Sequence, residues 1–127
     1  MREETKPWIK FAEENVDAAN VLLESSLFNP CLQNIQQSVE KAMKALIIER
    51  AIGLKKTHSI SELNTLLIEN NLDINITEDE CDLLDSIYLP TKYPVGSVLP
   101  DFEPDNQICA TAIDIAKRVL EDVKAKT

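Results

Sequence analysis

Apolar residues recur every three or four positions along most of this chain, in stretches separated by short breaks rich in Asn, Pro, Gly and Ser. That spacing predicts amphipathic helices rather than alternating strands. From Lys6 to Ser25, Trp8, Phe11, Ala12, Asn15, Ala19, Leu22 and Leu23 form one stripe. Pro7 is tolerated in a first helical turn, and Glu3, Glu4, Glu13, Glu14 and Asp17 suit the positive end of a helix dipole. The Asn29-Pro30 pair predicts a break, after which the longest helix runs from Cys31 to about Ile52. Leu32, Ile35, Val39, Ala42, Met43 and Leu46 mark its buried side, while Gln37, Lys41 and Lys44 return to the opposite side by steps of four and three. Gly53 is expected to stop it in a left-handed conformation.

Two shorter helices follow, each opened by a capping box: Ser59 with Glu62, and Thr77 with Glu80. Ile60, Leu63, Leu66 and Leu67 face inward from the first of these, and Cys81, Leu84, Ile87 and Tyr88 from the second. Residues 88–104 hold four prolines and a glycine. They are expected to interrupt the helix and form an ordered crossing loop, held by Tyr88, Tyr93, Val98 and Phe102. A last helix from near Pro104 to about Ala125 has a broad apolar arc, Ile108, Ala112, Ile115, Ala116, Val119 and Val123, widened by Cys109, Ile113 and Leu120. These elements predict an all-α fold: one domain over residues 1–127, an up-and-down antiparallel helical bundle with three long and two shorter helices. The breadth of the last arc raises the expectation of a homodimer.

Charge changes the picture more by its distribution than by its net value of −9. Eight bases balance eight acids through Ile60, whereas fourteen acids face five bases beyond it. Lys41, Lys44, Arg50, Lys55 and Lys56 concentrate between positions 41 and 58, so a local cationic patch for phosphate can persist on an acidic protein. Extended binding to duplex DNA is not expected. Cys31, Cys81 and Cys109 form no close pair in the sequence and follow no metal-ligand spacing. They are read as reduced thiols filling core gaps in a cytoplasmic protein. The charged start MREETKPWIKF does not resemble a signal peptide, and no apolar run is long enough to span lipid.

Candidate chemistry is sparse. His58 is the only histidine, and no Gly-rich phosphate loop, nucleophile elbow or HExxH motif is present, so no cofactor or metal is expected. Asp79, Glu80, Asp82 and Asp85 form the densest acidic group, read mainly as a solvated helix start and secondarily as a divalent-ion contact. The more specific constellation is Gln37, Glu40, Lys41 and Lys44, followed by Lys56, Thr57 and His58. Lysines offer mobile point charges for phosphate, and a histidine can hydrogen-bond a ligand or move a proton near neutral pH. Thr57 and His58 equally suit a structural role at a helix entrance.

The string QNIQQSVEKAMKALIIERAIGLKKTHSISELNTLL resembles the central signature of the HEPN family of small helical domains. Gln37, Glu40, Lys41, Lys44 and Ala45 match a QxxEKxxKA-like helix, and Thr57-His58 matches the Thr-His pair that follows it. Tyr88 with Lys92, Tyr93 and Pro94 resembles a later Tyr…Arg-Tyr-Pro element, with lysine in place of arginine. The resemblance implies a homodimer and a minimal nucleotidyltransferase as partner. It also implies either nucleotide binding or metal-independent endoribonuclease activity of the toxin–antitoxin kind. The nuclease branch carries an Arg-x4-6-His motif. Here Arg50 and His58 enclose seven residues, and no histidine follows position 58.

Two functions follow. The preferred one is a non-catalytic, dimeric binding module presenting Gln37, Lys41, Lys44, Lys56, His58, Lys92 and Tyr93 to a nucleotide, an RNA or a nucleotidyltransferase. The alternative is a metal-independent ribonuclease in which His58 moves a proton and Arg50 or a lysine stabilises charge.

Overall fold

The computed structural model describes residues 1–92 and 103–127, and for residues 88–92 the backbone alone. Five helices form: α1 (Lys6–Glu24), α2 (Phe28–Glu49), α3 (Ile60–Glu69), α4 (Glu78–Lys92) and α5 (Asn106–Ala125). They are the three long and two shorter helices that the periodicity predicts.

Two boundaries differ from expectation. Asn29 and Pro30 lie within the first turn of α2 rather than before it. A first-turn amide has no intrahelical acceptor, so proline costs nothing there. At the other end α2 stops at Glu49, four residues before Gly53. Ala51 takes the left-handed conformation instead, at φ 55°. Its N–H donates to the Ile48 carbonyl and the Ile52 N–H to the Ile47 carbonyl, both at 3.0 Å. That is a Schellman closure. Ser26 and Asn71 close α1 and α3 in the same way, at φ 58° and 62°. A third difference concerns Pro90, which lies inside the helical span of α4 rather than interrupting it. The other loop residues predicted to pin the crossing, Tyr93, Val98 and Phe102, fall outside the described residues, as does the Tyr88 side chain.

The α1 stripe is rotated from the predicted one. Ile9, Ala12, Val16 and Ala19 are buried, whereas Phe11 is 52% exposed and Asn15 half-buried. The register of the α1–α2 hairpin explains this. Ser38 Oγ donates to the Ala12 carbonyl at 2.8 Å, and Cys31 Sγ to the Ala19 carbonyl at 3.3 Å. Small residues on both helices therefore meet two turns apart and bring the backbones close, which turns Ala12 and Ala19 inward. Thr5 Oγ1 ties the far end to Glu49 at 2.8 Å.

α5 packs on both helices of this hairpin. Near its start Cys109 Sγ lies 3.7 Å from the Phe28 carbonyl. At its end the Lys126 carbonyl accepts from Arg50 at 3.1 Å, so α5 runs with α2 and against α1. The arc that suggested a dimer face is occupied inside the chain: Cys109, Ile113 and Leu120 are all buried. α3 and α4 form a second antiparallel hairpin against α2. Leu32, Ile35, Met43, Leu46, Ile60, Leu63, Leu67, Leu84 and Ile115 fill the shared core. Truncating any one of these aliphatic side chains to alanine is expected to cost about 2–5 kcal/mol. No helix among the described residues is long and apolar enough to cross a membrane.

The three cysteines are buried. Cys31 and Cys109, remote in sequence, are neighbours where α2 and α5 begin. Burial pushes the Cys109 thiol up to about 12 and the Cys81 thiol to about 11, which suits packing rather than nucleophilic use.

Candidate functional site

Gln36, Glu40 and Lys44 follow one another at intervals of four residues and therefore line a single face of α2. The extended segment entering α3 crosses that face. Gln36 Nε2 donates to the His58 carbonyl at 3.0 Å, which fixes the backbone at the crossing. Thr57 Oγ1 donates to Glu62 at 2.5 Å and accepts from the Ser59 N–H at 3.1 Å. Ser59 Oγ caps α3 by accepting from the Glu62 N–H. The predicted capping box is thus half-formed, with the Glu62 carboxylate turned to Thr57 instead of to Ser59.

His58 is held where these two pieces meet. Its Nδ1 lies 3.1 and 3.2 Å from the two carboxylate oxygens of Glu40. Glu40 also accepts from Lys44 Nζ at 2.9 Å. The side chains of Glu40 and Lys44 are 11% and 10% exposed, that of His58 64%. A nearly buried ion pair therefore carries an imidazole that reaches solvent. A carboxylate on Nδ1 selects the tautomer with its proton there and restricts the ring. This is how a base-oriented histidine is built in acid–base sites generally. Glu40 belongs to the motif legible in the sequence, but its place at the centre is not, because i,i+4 spacing from Lys44 by itself describes only a weak surface bridge. Gln36 carried no signal beyond standing one turn before Glu40.

The other candidates divide. Lys44 is buried rather than facing solvent, and its charge is spent on Glu40. Lys41 donates to Asn15 Oδ1 at 3.1 Å and stands 5.6 Å from the centroid of the Phe11 ring. Gln37 Oε1 accepts from Asn15 Nδ2 at 3.5 Å. Gln37 and Lys41 thus meet α1, whereas Glu40 and Lys44 are buried beside the segment that enters α3. Lys56 is exposed on the connector before His58. The Lys92 side chain and all of Tyr93 fall outside the described residues.

Arg50 does not join His58. Its guanidinium donates to the Lys126 carbonyl, and it sits ten residues beyond Glu40, a rise of about 15 Å along the helix. The acidic group on α4 has structural work. Asp85 accepts from the N–H groups of Ile60 and Ser61 at 2.6 and 3.1 Å and from Ser59 Oγ at 3.0 Å, capping α3. Asp82 accepts from Ser61 Oγ, and Glu80 binds Arg118 and the Thr77 N–H. No group of three His, Cys, Asp or Glu side chains among the described residues is placed to hold a metal ion.

A family model described as the HEPN domain matches residues 5–126. Among solved structures, the chain is similar to TT1696 from Thermus thermophilus, at 26% identity and a TM-score of 0.80, covering 99% of this chain and 100% of that one. It is also similar to ST0689, described as an archaeal HEPN homologue, at 28% identity and a TM-score of 0.74, covering 99% and 98% of the two chains. No curated protein matches.

Proposed function

Given that the chain belongs to the HEPN domain family, we propose that it is a metal-independent endoribonuclease whose acid–base residue is His58. The observation that carries this reading is the solvent-reaching imidazole clamped through Nδ1 on both oxygens of Glu40. In the reaction, Nε2 takes the proton of an RNA 2′-hydroxyl as that oxygen attacks the adjacent phosphorus. The 5′-oxygen leaves with a proton from a second acid, giving a 2′,3′-cyclic phosphate and a 5′-hydroxyl end. Glu40 is a positioning residue: it stabilises the imidazolium formed midway, and Lys44 keeps its charge in place. The lysine-centred binding reading loses weight because the Lys44 ammonium is buried against the Glu40 carboxylate.

Binding without turnover is the second reading, as a dimeric module engaging a nucleotide, an RNA or a nucleotidyltransferase. It is favoured by Arg50, whose side chain is held at the end of α5 and supplies no cation to His58. One assay separates the two. Purified chain is incubated with unstructured RNA in EDTA, and the product ends are identified. The nuclease reading expects cyclic-phosphate ends and a loss of about 10²–10⁴-fold in rate on His58→Ala, with melting temperature unchanged. RNA that is bound but stays intact at high protein concentration decides for the binding module.

A further inference from the structure

Phe11 is a large aromatic residue left half-exposed on a helix whose other core positions are filled. One exposed apolar residue carries no message by itself; its neighbours supply one. Lys41 Nζ stands over the ring, 5.6 Å from its centroid. Around it runs a directed chain of amides. Asn34 Nδ2 donates to the Pro30 carbonyl, Asn15 Nδ2 donates to Asn34 Oδ1 at 2.9 Å and Gln37 Oε1 at 3.5 Å, and Lys41 donates to Asn15 Oδ1. This sequence of donors fixes Gln37 with its oxygen toward Asn15, because the reverse would oppose two N–H groups. The Gln37 amide nitrogen then has no partner among the described residues and keeps two donors in reserve.

We propose that Phe11, Gln37 and Lys41 form a seat for one unpaired nucleobase of a single-stranded RNA. The base stacks on the exposed surface of the Phe11 ring, its edge acceptors meet the Gln37 amide, and Lys41 neutralises the neighbouring phosphate. Gln37 precedes Glu40 by one turn of α2, an axial rise of about 4.5 Å, so the seat adjoins the imidazole clamp. The inference rests on the nucleic-acid reading given above and makes its substrate single-stranded: a base locked in a duplex presents neither its face nor its pairing edge.

The test uses fluorescence anisotropy with a labelled 2′-O-methyl oligouridine, which lacks the hydroxyl needed for cleavage, alone and annealed to its complement. The wild-type chain should prefer the single strand. Phe11→Ala should weaken that binding about tenfold and leave duplex binding unchanged, while Phe11→Trp retains it. Gln37→Ala should weaken it about fivefold. Phe11 is exposed, so these variants should melt with the wild type. Unchanged affinity in Phe11→Ala, a preference for duplex, or no binding by the wild type overturns the seat. The nuclease reading fails separately. RNA cleavage that depends on His58 but binding indifferent to Phe11 defeats the seat alone, whereas Phe11-dependent binding without cleavage defeats catalysis and keeps the seat.

Discussion

Ala51 carries a backbone conformation that an L side chain enters at a cost of roughly 1–2 kcal/mol, while two positions later Gly53, with open space where a Cβ would go, stands outside the closure of α2. The obvious glycine therefore does not do what glycine does best. Ala51→Gly should raise stability by about 0.5–1 kcal/mol after allowing for the added freedom of the unfolded chain. Urea denaturation of the two proteins at neutral pH checks the sign, and a loss would show that the left-handed cost is offset locally. The same limit on legibility governs the site. His58, Lys44 and Gln37 are visible in the sequence as polar residues at helical spacing. Their roles are set by a crossing between α2 and a connector eighteen residues from Glu40, which no local pattern encodes. Glu40 and Lys44 illustrate this: by spacing they are an ordinary surface pair, and only burial beneath the α3 entrance makes them a rigid mount for His58.

Helix starts that carry a capping box are legible from a few residues. Thr77 and Glu80 form the reciprocal box that their spacing predicts, with Thr77 N–H to Glu80 at 3.0 Å and Glu80 N–H to Thr77 Oγ1 at 3.1 Å. Capping is local, so three residues suffice to encode it. Stops turn on which residue accepts a left-handed turn: Ser26, Ala51 and Asn71 do so, each closed by local backbone hydrogen bonds, and of the three only Asn71 is of a type that favours that conformation. Distant partners were not legible at all. Glu80 also receives both Nη atoms of Arg118, Nη1 at 2.9 Å and Nη2 at 2.5 Å, joining α4 to α5. This fork, with help from the Thr77 N–H and against partial desolvation, holds the Glu80 carboxyl down at about 2 rather than 4.5. A folded-state value below the unfolded one means the pair stabilises fully above about 4.5, and its contribution disappears as the pH falls toward 2. Arg118→Ala should therefore cost about 1–2 kcal/mol at pH 7, after discounting for partial solvent access. The gap from wild type should narrow through that acid window. A gap independent of pH, measured by urea denaturation across it, would place the loss in packing rather than charge.

At the scale of the whole molecule, stripe-against-stripe packing was readable because every helix must hide an apolar face, and one domain's worth of such faces has few arrangements. The rotation of α1 was not, since small residues at the α1–α2 contact, rather than the largest apolar ones, set its facing. The breadth of the α5 arc likewise reflects two neighbours within the chain, so a dimer has to be argued from chemistry. Cleavage of RNA through its own 2′-hydroxyl needs one group to remove a proton and another to return one to the leaving oxygen. The chain has a single histidine, and its arginine nearest in sequence is bound at the other end of α2. Two copies that bring their α2 flanks together would supply two imidazoles to one strand and cancel part of the mismatch between an acidic protein and an anionic substrate by concentrating Lys41 and Lys56 from both. Cleavage should then fall more steeply than linearly as protein is diluted through its dimer dissociation range, with the rate varying as the square of concentration at the low end. Sedimentation measured over the same range locates the dimer. A rate strictly proportional to protein while the chain sediments as a monomer would require the second proton donor to lie within one copy.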